Sequence, residues 1–397
     1  MTVDTRGPIG ASTMERVWWR EERFRFWAFQ IGAVALVAAV LGYLWHNAVV
    51  NMERQGIASG LGFLDRESGF EISTTLISYT PANSYGRALL VGLLNTLLVS
   101  AIGSVFTTIF GVLLGVARLS SNWLLRQVTR WYVEVFRNTP LLLQLVVWWD
   151  LLRISAPGPR QALQILPNIY VSNRGLAFPV AEWHEVYLWM FAAMLVGILA
   201  TIWVARWARH RQEQTGEQFH TILAGVGLVI LLPLAVFLVA GAPLDLDKPA
   251  LAGFNFKGGT VISPEFAALL FGLIANTSAF VAEIVRSGIQ AVSWGQTEAA
   301  GALGLRQGQV LRLVVLPQAI RVIIPPMTSE YLSLTKNSSL AVAIGFADFM
   351  SIANTELNQT GQAVEVITIA MAVYLTISLL ISASMNVYNR YMALVER

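Results

Sequence analysis

Four polar constellations stand out in a chain that is otherwise poor in reactive side chains. Glu134 and Arg137 lie three residues apart in an apolar run, and Glu283 and Arg286 repeat that spacing in another. Lys336 is followed directly by Asn337, Ser338 and Ser339, again inside a hydrophobic stretch. The fourth is EAAGALGLRQGQVLRLVVLPQAI, Glu298 to Ile320, whose glycines, glutamines and arginines sit between two strongly apolar segments. An ionisable group inside lipid costs roughly 2.5–3.5 kcal/mol on insertion scales, so each of these requires a reason. Residues three apart on a helix can pair along one face. The two Glu/Arg pairs therefore read as local ion pairs near helix ends, or as parts of a gate. Lys336 has no acidic neighbour one turn away and would face a bundle interior, where it could attract a carboxylate or pair with one on another helix or subunit. In Arg137-Asn138-Thr139-Pro140, Pro140 frees a backbone carbonyl one turn earlier, which predicts a broken helix there.

Other chemistries find no footing. The chain contains no cysteine, which removes disulfides, thiolate catalysis and cysteine metal sites. Its four histidines (His46, His184, His210, His220) are scattered without metal-ligand spacing, and no metal site is expected. A phosphate-cradling loop needs glycine before its lysine. The three lysines follow Asp247, Phe256 and Thr335, so no nucleotide is held by that route.

The elements that must position these residues are membrane helices. Of 397 residues, 55% are hydrophobic and only 13% charged, and mean hydropathy is +0.58. A water-facing surface needs more charge than that. Thirteen tryptophans and ten tyrosines suit an aromatic belt at the headgroups. A net charge of only +3 is no nucleic-acid footprint. A hydrocarbon core of about 30 Å needs roughly 20 apolar residues. Such runs predict eight spans, near 26–49, 88–117, 128–152, 186–205, 221–241, 265–290, 328–350 and 365–389. The first is too long for a signal-peptide core. Spans four and five are apolar all round and read as peripheral helices inserted into a five-helix core. The second carries Asn95, Thr96, Ser100 and a Gly111/Gly115 pair, a spacing that lets helices approach closely.

Arginine placement sets the orientation. Arg16, Arg20, Arg23 and Arg25 form a basic foot, and Arg118, Arg126, Arg130, Arg206, Arg209 and Arg211 fill short loops on the same side. That face is expected to be cytoplasmic, with both termini and the Glu298 loop on it. The layout becomes a foot at 1–25, a first helix and periplasmic segment at 26–87, and a first core part at 88–152. Periplasmic segments and two inserted helices fill 153–264, and a second core part with a cytoplasmic loop at 291–325 occupies 265–397. Within that loop EAAGAL should form a helix with an acidic first turn, Gly304 the break, RQGQVLRLVVL a second helix, and Pro317 a further change of direction.

The spacing Glu298-Ala299-Ala300, Gly304, Leu316-Pro317 resembles the EAA loop of ABC importer permeases, with Val314 where that motif usually has isoleucine. TSAFVAEIVRSGIQAVSWGQTEAAGALGL (Thr277 to Leu305), YVEVFRNTPLLLQLVVWW (Tyr132 to Trp149) and KNSSLAVAIGFADF (Lys336 to Phe349) resemble the permeases of polar amino acid uptake systems. RQGIASGLGFLDRESGFEIS and the two extra spans are similar to the larger, Q-type permease of general L-amino acid importers of Gram-negative bacteria. The resemblance implies an all-α integral membrane protein of the inner membrane, with about eight transmembrane helices. It implies import of glutamate, glutamine, aspartate and asparagine, driven by a separate ABC ATPase homodimer that holds ATP and Mg. A periplasmic amino-acid-binding protein and a second, related permease would complete the assembly. Glu298, Ala299, Ala300, Gly304, Leu316 and Pro317 would form the coupling surface; Asn95, Arg137, Asn138, Thr139, Glu283, Lys336, Asn337, Ser338 and Ser339 would line the pathway. An ion-driven secondary transporter is the alternative, though it would be expected to show internal repeats. An intramembrane enzyme would need a nucleophile and base within reach, and the spans place no His or Cys beside a candidate Ser.

Overall fold

The computed structural model describes residues 22–54, 60–217 and 219–392; most of the basic foot and the end of the chain lie outside them. Among the described residues seven helices are long and apolar enough to cross a membrane. They are α1 (Glu22–Arg54), α2 (Tyr85–Ala117), α5 (Val186–Thr215), α6 (Thr221–Val239), α7 (Pro264–Gln290), the helical run Gln307–Ile344, and α12 (Ala363–Met392). The expected third span is not one helix. It is α3 (Trp123–Asn138) and α4 (Leu141–Arg153), separated at Thr139-Pro140. Proline there removes a backbone donor and its ring obstructs the preceding turn.

The core is built around α7, which packs against α2, α4, α10 (Leu316–Asn337) and α3. The Gly111/Gly115 pair explains the closest of these contacts. A Cβ added at Gly111 would lie 2.3 Å from Val281 Cγ1, and one at Gly115 would lie 2.7 Å from Val285 Cβ. Small residues let the two backbones meet where lipid supplies no hydrophobic drive between helices. The inserted α5 and α6 pack mainly on each other, with Gly197 against the Leu228 carbonyl and Gly225 against Thr201. Their remaining surface is exposed, as expected for peripheral helices.

The mixed-charge segments either side of that hairpin hold strands that an all-α reading does not foresee. β1 (Leu163–Leu166), β2 (Ile169–Ser172), β3 (Gly175–Phe178) and β8 (Thr260–Ile262) form an antiparallel sheet in that order. Two small ribbons pair β4 (Val180–Ala181) with β5 (Leu246–Asp247), and β6 (Ala250–Ala252) with β7 (Asn255–Lys257). The β3–β8 pairing brings the chain back to where the α5–α6 hairpin left it. Ser263 then caps α7 by accepting from the Phe266 N–H.

The seventh expected span, 328–350, is also divided. α10 tightens into a 3₁₀ turn at Ser338–Ile344, Gly345 adopts a left-handed conformation (φ 76°), and a short helix α11 (Phe349–Thr360) follows. Asn95 holds this junction. Its Nδ2 donates to the carbonyls of Thr74 and Ala347, each at 2.8 Å, while Thr96 Oγ1 accepts from the Phe349 N–H.

Candidate functional site: a shared carboxylate and an exposed helical elbow

Two places concentrate polar residues, one inside the bundle and one at its end. Inside, the broken helix is held open by amides from elsewhere. The carbonyl freed by Pro140 is that of Phe136. It accepts from Gln144 Nε2 and from Asn276 Nδ2 of α7, both at 3.0 Å, and Gln144 also donates to the Thr139 carbonyl. Two carbonyls at the break thus find side-chain donors, which is how non-helical backbone persists at membrane depth. Sequence reasoning located the break but missed Gln144 and Asn276. The signal for Gln144 was an amide placed four residues after the proline.

About two turns along α7 from Asn276 sits Glu283, and its surroundings correct the expected local pairs. Arg286 does bind it along α7, donating from Nη2 to Oε1. Arg118, from the end of α2, binds the other carboxylate oxygen. Arg137 of α3 reaches that oxygen as well, at 3.8 Å, and lies over the Phe280 ring at 5.2 Å. The anticipated Glu134–Arg137 pair does not form. Glu134 pairs instead with Arg130 at 2.8 Å on an exposed face, because a four-residue step brings those side chains together. One carboxylate therefore gathers three guanidiniums from three helices.

The other expected pathway residues separate into two groups. Asn95 is fully buried, and its Nδ2 donates to two backbone carbonyls, which pins the helices around it. Ser338 is buried, and its hydroxyl donates to the Thr335 carbonyl; Ser339 donates to that of Lys336. Both hydroxyls satisfy the end of α10. Thr139 donates to the Val135 carbonyl. Lys336 and Asn138 are exposed, and Asn337 is half-buried. Lys336 continues a stripe on α10 formed by Pro325, Pro326, Ser329 and Ser333, all exposed.

At the end of the bundle lies the elbow. α8 (Trp294–Ala302) runs to Gly304, whose left-handed φ of 80° turns the chain into α9 (Gln307–Val310). Glycine takes that conformation without the steric cost a side chain would meet. Glu298 lies in the middle of α8, not in its first turn, and accepts a hydrogen bond from Trp294 Nε1 at 2.8 Å. Ala299 and Gly304 are exposed, but Ala300 is buried. Ala300 therefore packs the elbow against its own chain. Pro317 marks no change of direction either. A π turn at Leu311–Val315 leads straight into α10, and the widened turn accommodates proline's missing donor. Leu316 is half-buried beside it. The outer corner of the elbow presents Leu303, 83% exposed, and Trp294, 72% exposed.

Residues 219–393 match the family described as binding-protein-dependent transport system inner membrane component. The amino-acid ABC transporter permease protein YhdX of Escherichia coli (strain K12) is 50% identical over 94% of this chain and 95% of its own length. The general L-amino acid transport system permease protein AapQ of Rhizobium johnstonii is 46% identical over 100% of this chain and 99% of its own. The chain belongs to the amino-acid ABC transporter permeases. A third relative, the glutamate/glutamine/aspartate/asparagine transport system permease protein BztB of Rhodobacter capsulatus, is 40% identical over 95% and 96% of the two chains. The permease is thus a multi-pass inner membrane protein of a transport system, a subunit that is not itself an enzyme. The ion-driven carrier considered from sequence has no support among these relatives.

Proposed function

We propose that this permease imports polar L-amino acids, with glutamate, glutamine, aspartate and asparagine as its substrates, on energy from a separate ABC ATPase homodimer. The observation that carries the reading is the exposed elbow. Leu303 and Trp294 are large apolar groups left open at a corner that Gly304 turns, the form expected of a knob seated in a partner's groove. Glu298 keeps Trp294 in place from one turn away. ATP and its Mg sit on the ATPase, whose two states bias the pathway toward opposite faces of the membrane. The elbow and both termini face the cytoplasm; the strand-bearing segments face the periplasm, where a binding protein delivers substrate. The second half of the pathway comes from a related permease. The substrate assignment follows the transport systems to which the relatives named above belong.

The test is import of labelled glutamine into proteoliposomes holding the complete complex. Uptake is expected to require ATP and to stop with vanadate or without the ATPase. Uptake that persists without the ATPase would overturn the reading.

Lys336 is assigned the attraction of the substrate carboxylate, since it is exposed at membrane depth on a polar stripe of α10. Lys336→Met should lower glutamate uptake by about tenfold, the scale of one charged hydrogen bond. Glutamate and glutamine uptake equal to the parent's would remove that role.

A further inference from the structure

α11 has 12 residues and is not among the helices long enough to cross the bilayer. It buries Phe349, Ile352, Ala353 and Glu356, which share one helix face. The first three are apolar and join a core formed with Phe63, Tyr85, Ala88 and Val366. Glu356 takes the fourth place on that stripe. It is 0% exposed, and neither carboxylate oxygen finds a hydrogen-bond partner among the described residues. A charged carboxylate buried without a partner is strongly disfavoured, so such a group keeps a proton instead. Burial accordingly pushes the Glu356 carboxyl up to about 8.

Residues 60–85 pack on this same core through Phe63, Phe70, Tyr79 and Tyr85. They are pinned at three points. The Gly60 N–H donates to Glu365 Oε1 at the start of α12, at 2.8 Å, and the Tyr85 hydroxyl donates to Gln359 Oε1 of α11, at 2.9 Å. The third is the bond from Asn95 to the Thr74 carbonyl. No cation in this setting offsets the burial of Glu356. Among the titratable groups on the elements packed around α11, Tyr79 is bonded to Ser68 and to the Phe70 carbonyl, and Arg87 of α2 to Ser78. Tyr374 of α12 is bonded to Asp348 at the start of α11, Tyr85 to Gln359, and Glu365 to Gly60. The 3₁₀ turn Ser338–Ile344 carries no titratable side chain. Asp65, Arg66, Glu67 and Glu71 are exposed to solvent.

We infer that the proton on Glu356 closes residues 60–85 over α11 as a collar, and that its loss lets the collar lift. Once ionised, the carboxylate can be solvated only by water, and water reaches it only when the collar leaves the core. α2 runs from this collar to Arg118 beside Glu283, so the collar lies at the end of the bundle opposite the elbow. In the lifted state the carboxyl is exposed and returns to its ordinary value of 4.5. The closed state therefore holds the proton more strongly, and its advantage is greatest below 4.5 and falls as pH rises to about 8. With a single proton involved, opening becomes about tenfold more frequent per pH unit within that window. The lock does not depend on which substrate the permease carries.

The experiment is hydrogen exchange on the complete complex in detergent across that pH window, with the intrinsic pH dependence of amide exchange divided out. The Ser68 and Gly69 amides, bonded to the carbonyls of Asn83 and Pro81, report the collar, and the amides of α7 report the bundle. Exchange at Ser68 and Gly69 should rise about tenfold per pH unit in the parent and stay level in Glu356→Gln, with α7 unchanged in both. Glu356→Leu completes the apolar stripe and should also stay level, which supplies the comparison if the glutamine variant does not assemble. Level exchange in the parent, the parent's rise in either variant, or a rise shared by α7 would each overturn the lock.

Discussion

Glu283→Gln is expected to cost the permease about 3 kcal/mol of stability, near the lower end of what breaking a buried ion pair removes. Its carboxylate is the shared partner of Arg118, Arg137 and Arg286, which belong to α2, α3 and α7. Glutamine leaves three guanidiniums with no compensating charge in a setting where the side chains are 14–39% exposed. That partial exposure keeps the effect from the upper end of the range. Glu134→Gln serves as the control. Its pair with Arg130 lies on an exposed face, where such pairs contribute about 1 kcal/mol or less. Thermal unfolding in detergent should show a clear fall in midpoint for Glu283→Gln and almost none for Glu134→Gln. Equal midpoints would mean that Glu283 is a solvated surface charge and does not tie the three helices together.

Gly304→Asp is expected to leave insertion intact and reduce import by at least about tenfold, the loss typical of a spoiled interface centre. No heavy atom lies within 4 Å of a Cβ built at Gly304, so aspartate meets no clash. The φ of 80° costs a non-glycine residue roughly 1–2 kcal/mol, which a membrane bundle tolerates at an exposed corner. What changes is the charge beside Leu303, at the surface proposed to seat in the ATPase. Gly304→Asn separates the two effects, because asparagine has the same shape, tolerates the left-handed region and is neutral. ATP hydrolysis measured with import should show Gly304→Asp hydrolysing without transport and Gly304→Asn transporting. Normal coupled import by Gly304→Asp would rule out this corner as the contact.

The membrane spans were legible because lipid imposes a simple requirement. A helix that crosses the bilayer needs about 20 predominantly apolar residues, so α2, α5, α6, α7 and α12 appear as runs in the chain itself. The break before Pro140 was legible for an equally local reason, a missing donor and a steric obstruction. The left-handed turn at Gly304 belongs with them. The short strands between 163 and 262 were hidden, since runs of two to four residues are too short to carry a usable alternation.

What the amino-acid order determined by itself was thus the set of apolar helices, the position of the proline break and the glycine break of the elbow. Each follows from the geometry of a few neighbouring residues. Only the tertiary structure decided that the Phe136 carbonyl would be met by Asn276, 140 residues away, and that Arg137 would turn from Glu134 to Glu283. It also decided that Ala300 faces inward and that Asn95 binds backbone. Such pairings depend on which helix faces are pressed together, and in lipid that is set by close packing at residues such as Gly111 and Gly115, over distances that no local pattern encodes.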